Sequence, residues 1–370
     1  SQQFGRRNYF AASIIIFTAA SFLCGNATTL WEIILFRFIQ GLGGGALLVT
    51  SQTIITESYP PEKRGLAQAI YGMGVIVGPT LGPPLGGYII DNWSWPYIFY
   101  IYILIGIIAI LLTMSFVRSP KYAEKSKLSQ VDFLGIILLA IAVGSLQYVL
   151  EHGQQDDWFS DSTIVTLTIA SFFGFILFVW RELVFKHPIV NLRVLKDSNL
   201  AVGTILSFIL GFGLYGSTFI IPIYTQSILG WTATDAGLLL IPSSLMTAFM
   251  MPIIATMLQK GVEPKYLVAG GFLIFFCYSF WSYKILTPDT GSEHFFWPLI
   301  VRGVGLGLLF VPVTTLSLSS LKGQQIGEGA AFTGMMRQLG GSFGIAIITT
   351  FISRWTVGHR TDLVSHLDTS

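Results

Sequence analysis

Hydrophobic residues in this chain form long runs, and the short segments between them carry most of the charge. An α-helix rises 1.5 Å per residue, so a run of about 20 residues crosses a hydrocarbon core of about 30 Å. Eleven runs are long enough, and we predict a membrane helix for each, near residues 9–25, 30–54, 66–90, 96–117, 132–150, 162–181, 199–222, 235–258, 266–286, 295–318 and 329–352. The pattern therefore predicts an all-α, polytopic membrane protein.

Composition supports this class. Hydrophobic residues make up 52% of the chain, charged residues only 11%, and the mean hydropathy is +0.68, which excludes an ordinary soluble domain. Cys24 and Cys277 lie in separate apolar runs, so neither a disulfide nor a zinc site is indicated. The chain has no phosphate-binding GKS or GKT motif, and its five histidines fall in loops or tails. We therefore predict no enzyme activity, no cofactor and no nucleic-acid partner.

The basic residues are distributed unevenly between the loops. Of the 21 Lys and Arg residues, fifteen fall in one set of alternate loops and three in the opposite set. Arg37, Arg302 and Arg337 lie within predicted helices. Because basic loops stay in the cytoplasm, this distribution places Ser1 inside and Ser370 outside.

The third predicted helix carries the stretch GVIVGPTLGPPLGG, residues 74–87. Glycines recur there at every fourth position, which aligns them on one helix face where a second helix approaches closely. The residues that we predict to form this packing face are Gly74, Gly78, Pro79, Gly82, Pro83, Gly86 and Gly87.

The chain also contains an internal repeat. A shift of 262 residues places seven small residues on identical ones: Gly41, Gly43, Gly45, Ala69, Gly72, Gly78 and Gly82 match Gly303, Gly305, Gly307, Ala331, Gly334, Gly340 and Gly344. Both copies run in the same direction, which is typical of a transporter built from two halves. The helices near 199 and 235 have no counterpart before residue 9, and the helix at 96–117 has none after residue 352. We therefore expect a fourteen-helix protein, of which this chain covers about eleven helices, with those at 132–150 and 162–181 inserted between the halves.

Four segments carry a family resemblance. They are Gly5-Arg6-Arg7, the RFIQG segment at 37–41, the glycine-proline stretch at 74–87, and RQLGGSFG at 337–344. Together they resemble the major facilitator superfamily, in particular its fourteen-helix drug:proton antiporter branch. The resemblance implies two six-helix bundles plus two inserted helices, and therefore an N-terminal bundle at 1–117, inserted helices at 118–198 and a C-terminal bundle at 199–370. It also implies that the helix at residues 235–258, which contains Ser243, is the packing partner of the glycine-rich third helix.

The resemblance also implies a function. It predicts a proton-coupled multidrug efflux transporter that exports lipophilic toxic compounds by alternating access, in the bacterial inner membrane and driven by the proton gradient. The implied partners are a periplasmic membrane-fusion adaptor and an outer-membrane channel, with the outer tail at 355–370 as a candidate contact. Two alternatives stay open: a carrier for one specific metabolite, and a membrane sensor or scaffold that does not transport.

Arg37 lies about two turns inside its predicted helix, where an arginine costs roughly 2.5–3.5 kcal/mol. It is either satisfied by carbonyls and water, or it pairs with a titrating carboxylate. The family resemblance assigns proton coupling to Arg37, and Gln40 belongs to the same motif. No acidic residue lies deep within a predicted helix, since Glu32, Asp132 and Glu328 fall near helix ends. The resemblance therefore implies that the carboxylate belongs to a first helix not contained in this chain.

Large aromatic residues with occasional hydroxyl groups suit a cavity for lipophilic substrates of varied shape. Our candidates for this cavity are Tyr71, Tyr215, Phe219, Tyr224 and Arg302. Arg302 falls on Gln40 in the repeat and is either a contact for an acidic substrate or a snorkelling or carbonyl-bonded cation. For Arg337, contacts with lipid or a loop are as plausible as a role in transport.

Overall fold

The computed structural model describes residues 6–60, 63–117, 132–185, 192–287, 290–321 and 324–367. These ranges contain α-helices, two short 3-10 helices (Trp158–Ser160 and Leu192–Lys196) and no β-strand. The α-helices are α1 (Arg6–Gly25), α2 (Leu30–Ser58), α3 (Arg64–Asn92), α4 (Tyr97–Phe116), α5 (Phe133–His152), α6 (Ser162–Val184), α7 (Ser198–Ser227), α8 (Ala233–Leu239), α9 (Ile241–Gln259), α10 (Pro264–Ile285), α11 (Ser292–Leu318) and α12 (Gln324–Leu367). The predicted all-α class is confirmed.

Ten segments of the described chain are long and apolar enough to cross a membrane. They correspond to ten of the eleven predicted spans, with α8 and α9 forming one continuous span, Ala233–Gln259. The exception is α3, which is not among the ten. It is nevertheless a helix, as predicted, and its 29 residues make it about 43 Å long at 1.5 Å per residue.

The last helix is longer than predicted. α12 has 44 residues, whereas its membrane-capable part is Gln325–Thr356. The outer tail predicted at 355–370 therefore does not begin as a loop, because the chain stays helical to Leu367. At 1.5 Å per residue the helix is about 66 Å long, roughly twice the thickness of a hydrocarbon core.

The chain divides into two compact units. The first contains Ser1–Ser129 and Pro222–Ala331, and the second contains Gln130–Ile221 and Phe332–Ser370. We describe each unit by itself. The predicted division of the sequence at residues 117 and 198 remains a prediction about the intact protein.

In the first unit, the repeat is visible in the packing of glycines. A Cβ on Gly43 of α2 would lie 2.8 Å from the backbone of Ser13 and Phe17 in α1. A Cβ on the matching Gly305 of α11 would lie 3.1 Å from the backbone nitrogen of Phe275 in α10. In both copies, therefore, the absence of a side chain lets the preceding helix approach the glycine backbone.

In the second unit, α5 and α6 form a hairpin. Small residues bring its helices together, since the Ser171 hydroxyl donates to the Ala142 carbonyl at 2.9 Å. At one end, Arg181 donates to both carboxylate oxygens of Asp132, with Nε–Oδ2 3.0 Å and Nη2–Oδ1 3.2 Å. Burial raises the pKa of the Asp132 carboxyl, but hydrogen bonds from Arg181 and from the Gly135 amide outweigh it and hold the pKa below its usual range.

Candidate functional site

Arg37 belongs to a polar cluster that joins two apolar helices. Its Nη1 donates to Oε1 of Gln40, one turn further along α2, at 3.2 Å. Gln40 is 4% exposed, and its Nε2 donates to the Ser21 hydroxyl of α1 at 2.7 Å. Ser21 in turn donates to the Phe17 carbonyl at 2.7 Å. The motif residues Arg37 and Gln40 therefore act as a unit, and Gln40 fixes the position of the guanidinium relative to α1.

The guanidinium also contacts a third helix. Its central carbon lies 4.7 Å from the ring centroid of Phe99 in α4, a cation–π geometry. No ion pair of the described residues includes Arg37. Glu32 does not serve as its partner, because the Glu32 carboxylate accepts the backbone N–H groups of Thr28 and Thr29 at the start of α2. The carboxylate that the resemblance implies for Arg37 is therefore not among the described side chains.

Arg302 occupies the repeat position that corresponds to Gln40, and it is similarly buried. It is 3% exposed in α11, and its Nη1 donates to the Ser243 hydroxyl of α9 at 3.0 Å. Tyr278 of α10, also buried, lies close enough to interact electrostatically with the guanidinium. A Cβ on Gly303 would overlap the Ser243 carbonyl, so α9 and α11 are in backbone contact beside Arg302. Arg302 thus lies inside a packed group of three helices, and substrate contact remains a prediction.

The aromatic candidates are divided between the two units. In the first unit, the Tyr71 hydroxyl donates to the Leu48 carbonyl at 3.2 Å and the Tyr224 hydroxyl to the Thr287 carbonyl at 2.6 Å. Both hydroxyls therefore hold neighbouring segments of the chain in place. In the second unit, Tyr215 and Phe219 are half-buried on α7, and the Tyr215 ring lies against Gly341. A substrate role for these residues stays a prediction.

The glycine-rich helix α3 packs against the predicted partner, but largely through other glycines. Gly65 faces Ala255 of α9, and a Cβ on Gly72 would lie 2.9 Å from Met251 of α9. Near the other end, a Cβ on Gly87 would lie 2.8 Å from the backbone of Thr234 in α8. Thr234 also donates a hydrogen bond to the carboxylate of Asp91. Of the predicted packing residues, Gly87 is therefore at the contact.

The four-residue glycine stripe lies on another face of α3. Within the described chain, a Cβ on any of Gly74, Gly78, Gly82 or Gly86 would meet no atom within 4 Å. Gly74 follows Gly72 by two residues, which turns the helix by about 200° and places the two on nearly opposite sides. The side chains of Pro79 and Pro83 lie outside the described part of the structure. A packing role for the stripe thus remains a prediction, while Gly65 and Gly72 are contacts that the four-residue spacing did not reveal.

Two kinds of relative match nearly the whole chain. It is 35% identical over 368 residues to the fatty acid resistance protein FarB of Neisseria gonorrhoeae, covering 99% of this chain and 72% of that protein. It is 34% identical over 357 residues to the multidrug export protein EmrB of Escherichia coli K12, covering 96% of this chain and 68% of EmrB.

Solved structures show the same fold at low identity. The human organic anion transporter MFSD10 superposes with a TM-score of 0.64 at 15% identity, covering 95% of this chain and 72% of that one. The xylose symporter XylE with a bound glucose derivative gives a TM-score of 0.59 at 14% identity, covering 97% and 76%. The family model of the Major Facilitator Superfamily matches residues 1–345. The chain therefore belongs to the Major Facilitator Superfamily of membrane transporters.

Proposed function

We propose that this chain is the larger part of a proton-coupled multidrug efflux transporter that exports lipophilic toxic compounds by alternating access. The observation that carries the proposal is the cluster of Arg37 and Gln40, a fixed cation inside an apolar helix of a major facilitator protein. Relatives named for multidrug export and fatty acid resistance support export rather than uptake. The proton gradient supplies the energy, with no cofactor.

In this proposal, Arg37 is the cation of the proton-coupling step. Gln40 and Phe99 hold its guanidinium in place from two sides, so little reorganisation is needed when a charged partner approaches. A carboxylate beside it would stay ionised until a proton or a substrate displaced the interaction. Proton binding and substrate binding would then compete at neighbouring positions, which is the requirement for antiport.

The proposed location is the inner membrane of a bacterium, and the proposed partners are a periplasmic adaptor and an outer-membrane channel. The length of α12 supports such a partner, since the helix continues from Thr356 to Leu367 beyond its membrane-capable part. A helix that extends past the bilayer offers a surface to a protein outside it. Co-purification of an adaptor with the intact protein, lost when residues 357–367 are deleted, would support this contact. Undiminished co-purification would exclude it.

The full-length transporter tests the central proposal in energised cells and in inverted vesicles. Expression should lower accumulation of a lipophilic cationic dye, and collapse of the proton gradient should abolish the effect. Arg37→Ala should reduce this export by about 100-fold or more, because the coupling charge is lost, while membrane insertion is preserved. Arg354→Ala, which removes an exposed arginine of α12, should leave export unchanged.

Three outcomes would contradict the proposal in different ways. Normal export by Arg37→Ala would remove Arg37 from coupling. Competition confined to one chemical class of substrate would indicate a carrier for a specific metabolite. Unchanged dye accumulation despite normal expression would indicate a sensor or scaffold.

A further inference from the structure

The α5–α6 hairpin reaches α12 through two side-chain hydrogen bonds within the second unit. The Ser342 hydroxyl donates to Oε1 of Gln147 at 2.9 Å. Nε2 of Gln154, just after α5, donates to the Ser353 hydroxyl at 3.0 Å. Ser342 and Ser353 are eleven residues apart, which is three helical turns, so both lie on the same face of α12. The hairpin thus contacts α12 along one continuous side.

Both glutamine side chains are fixed by a second bond. Nε2 of Gln147 donates to Glu151 at 2.6 Å, which leaves its carbonyl oxygen for Ser342. Oε1 of Gln154 accepts the Trp158 indole N–H at 3.0 Å, which leaves its NH2 group for Ser353. Because each amide is held at both ends, the hairpin itself orients the groups that meet α12. The contact is therefore preorganised.

The opposite face of α12 packs on α7. A Cβ on Gly340 would overlap the Phe208 carbonyl, and one on Gly344 would lie 2.7 Å from the Phe212 carbonyl. Ser342 lies midway between these glycines, and each step of two residues turns the helix by about 200°. α12 is consequently held between α7 on its glycine face and the hairpin on its serine face.

Apolar helices gain little by leaving lipid for one another, so small-residue contacts and interhelical hydrogen bonds decide how they associate. We infer that the α5–α6 hairpin and α12 move as one body, and that Gln147 is a positioning residue that seats the glycine face of α12 on α7. The two inserted helices then support a helix of the transport fold. The transport part of this inference rests on the export function proposed above.

Crosslinking in the full-length protein tests whether the contact persists during transport. With Cys24→Ala and Cys277→Ser as background, the pair Gln147→Cys and Ser342→Cys should react with a short bifunctional thiol reagent. The control pair combines Gln147→Cys with Phe351→Cys, since Phe351 is exposed and lies nine residues, or two and a half turns, after Ser342, on the opposite side of α12. The first pair should crosslink at least about five-fold more, because only in that pair do the two cysteines face each other across the contact between α5 and α12.

The crosslinked protein should export dye within about two-fold of the same protein left untreated, as a rigid body requires. Equal crosslinking of the two pairs, or a crosslink that stops export, overturns the inference.

Thermal unfolding tests whether the hydrogen bond between Gln147 and Ser342 stabilises the protein, independently of transport. Gln147→Leu and Ser342→Ala should each lower the Tm by about 2–4 °C, and the double variant should lose no more than the worse single variant. Gln155→Leu, at an exposed position in the next loop, is the control and should not change the Tm. Fully additive losses contradict the bond. If the intact protein exports nothing, these two measurements still decide the contact, and only the proposed function fails.

Discussion

The helices α3 and α12 occupy equivalent positions in the repeat, yet the glycines that pack against a neighbouring helix stand at different repeat positions in the two. In α12, Gly340 and Gly344 lie in backbone contact with α7, whereas the matching Gly78 and Gly82 of α3 face open space within the described structure. Gly72 of α3 is packed, and its match, Gly334, is open. The difference follows the neighbours that each helix has. In the second copy α7 covers the glycine pair, whereas no described atom lies within 4 Å of a Cβ added to Gly78 or Gly82 of α3.

The same difference appears between α2 and α11. Gly303 and Gly307 of α11 pack on α9, while their matches, Gly41 and Gly45 of α2, meet no described atom within 4 Å. Gly43 and its match Gly305 are packed in both copies, since each has the preceding helix beside it. A repeated sequence therefore specifies a surface that permits close approach, and the neighbouring helix decides whether that surface is used.

The largest expected effect comes from filling the packed position of one glycine pair. Gly340→Leu should lower the free energy of unfolding by about 3 kcal/mol or more, because its side chain must displace the backbone of α7. Gly78→Leu should change that free energy by less than about 1 kcal/mol, as its surroundings are open. Denaturant unfolding of both full-length variants in detergent micelles measures the difference.

Equal losses in the two variants would remove the contrast between α3 and α12. If Gly78→Leu instead abolishes export while stability is retained, the stripe acts during the transport cycle rather than in folding.

A smaller loss of stability is expected when the ion pair between Asp132 and Arg181 in the second unit is weakened than when the glycine contact at Gly340 is filled. Asp132→Asn should cost about 1.5–3 kcal/mol, since it weakens two charge-assisted bonds from Arg181. The folded pKa of Asp132 lies below its unfolded value of about 3.9, so the stabilisation is complete above that pH and is lost as the pH falls through the folded pKa. Unfolding measured between pH 7 and pH 3 should therefore show a loss below about pH 4.

The Asp132→Asn variant should lack this part of the acid-induced loss. Asp157→Asn, in the exposed loop after α5, serves as the matched control and should retain it. An identical acid response in the wild type and Asp132→Asn would contradict the assignment of this stability to the ion pair.

Gly72→Ala should destabilise the first unit by about 1–2 kcal/mol. Its new methyl group would lie 2.9 Å from the flexible end of Met251, which is able to move, and 2.9 Å from the more rigid ring of Phe310. Unfolding of the variant measures this cost, and the double variant Gly72→Ala, Met251→Ala should recover part of what the methyl group costs relative to Met251→Ala alone. Absence of any such recovery would show that Met251 does not limit the space.

The smallest effect is expected at the open match of this position. Gly334→Ala should change stability by no more than about 1 kcal/mol, in the stabilising direction, because alanine favours a helix over glycine and meets no described atom within 4 Å. A loss similar to that of Gly72→Ala would show that the two copies pack alike after all.

Much of the architecture was predictable because it depends on local properties of the chain. The length of each apolar run determined where the membrane helices lie, and the capping residues of α2, Thr29 and Glu32, mark its start in the sequence. The spacing of Arg37 and Gln40 placed both on the same side of α2, where their hydrogen bond is observed. The contacts of Gly72 with Met251 and of Ser342 with Gln147 were not predictable, since the partners are 179 and 195 positions away along the chain.

The sequence by itself therefore determined the membrane class, the positions of the helices, the repeat and the faces without side chains, because these follow from hydrophobicity and helical periodicity. Only the tertiary structure decided which of those faces are occupied, that Arg302 lies buried against Ser243, and that the inserted hairpin is bonded to α12. The physical reason is that a glycine or a polar side chain permits a close contact but does not specify which helix makes that contact. In lipid, where burial of apolar surface drives little, the partner is chosen by the fit between whole helices.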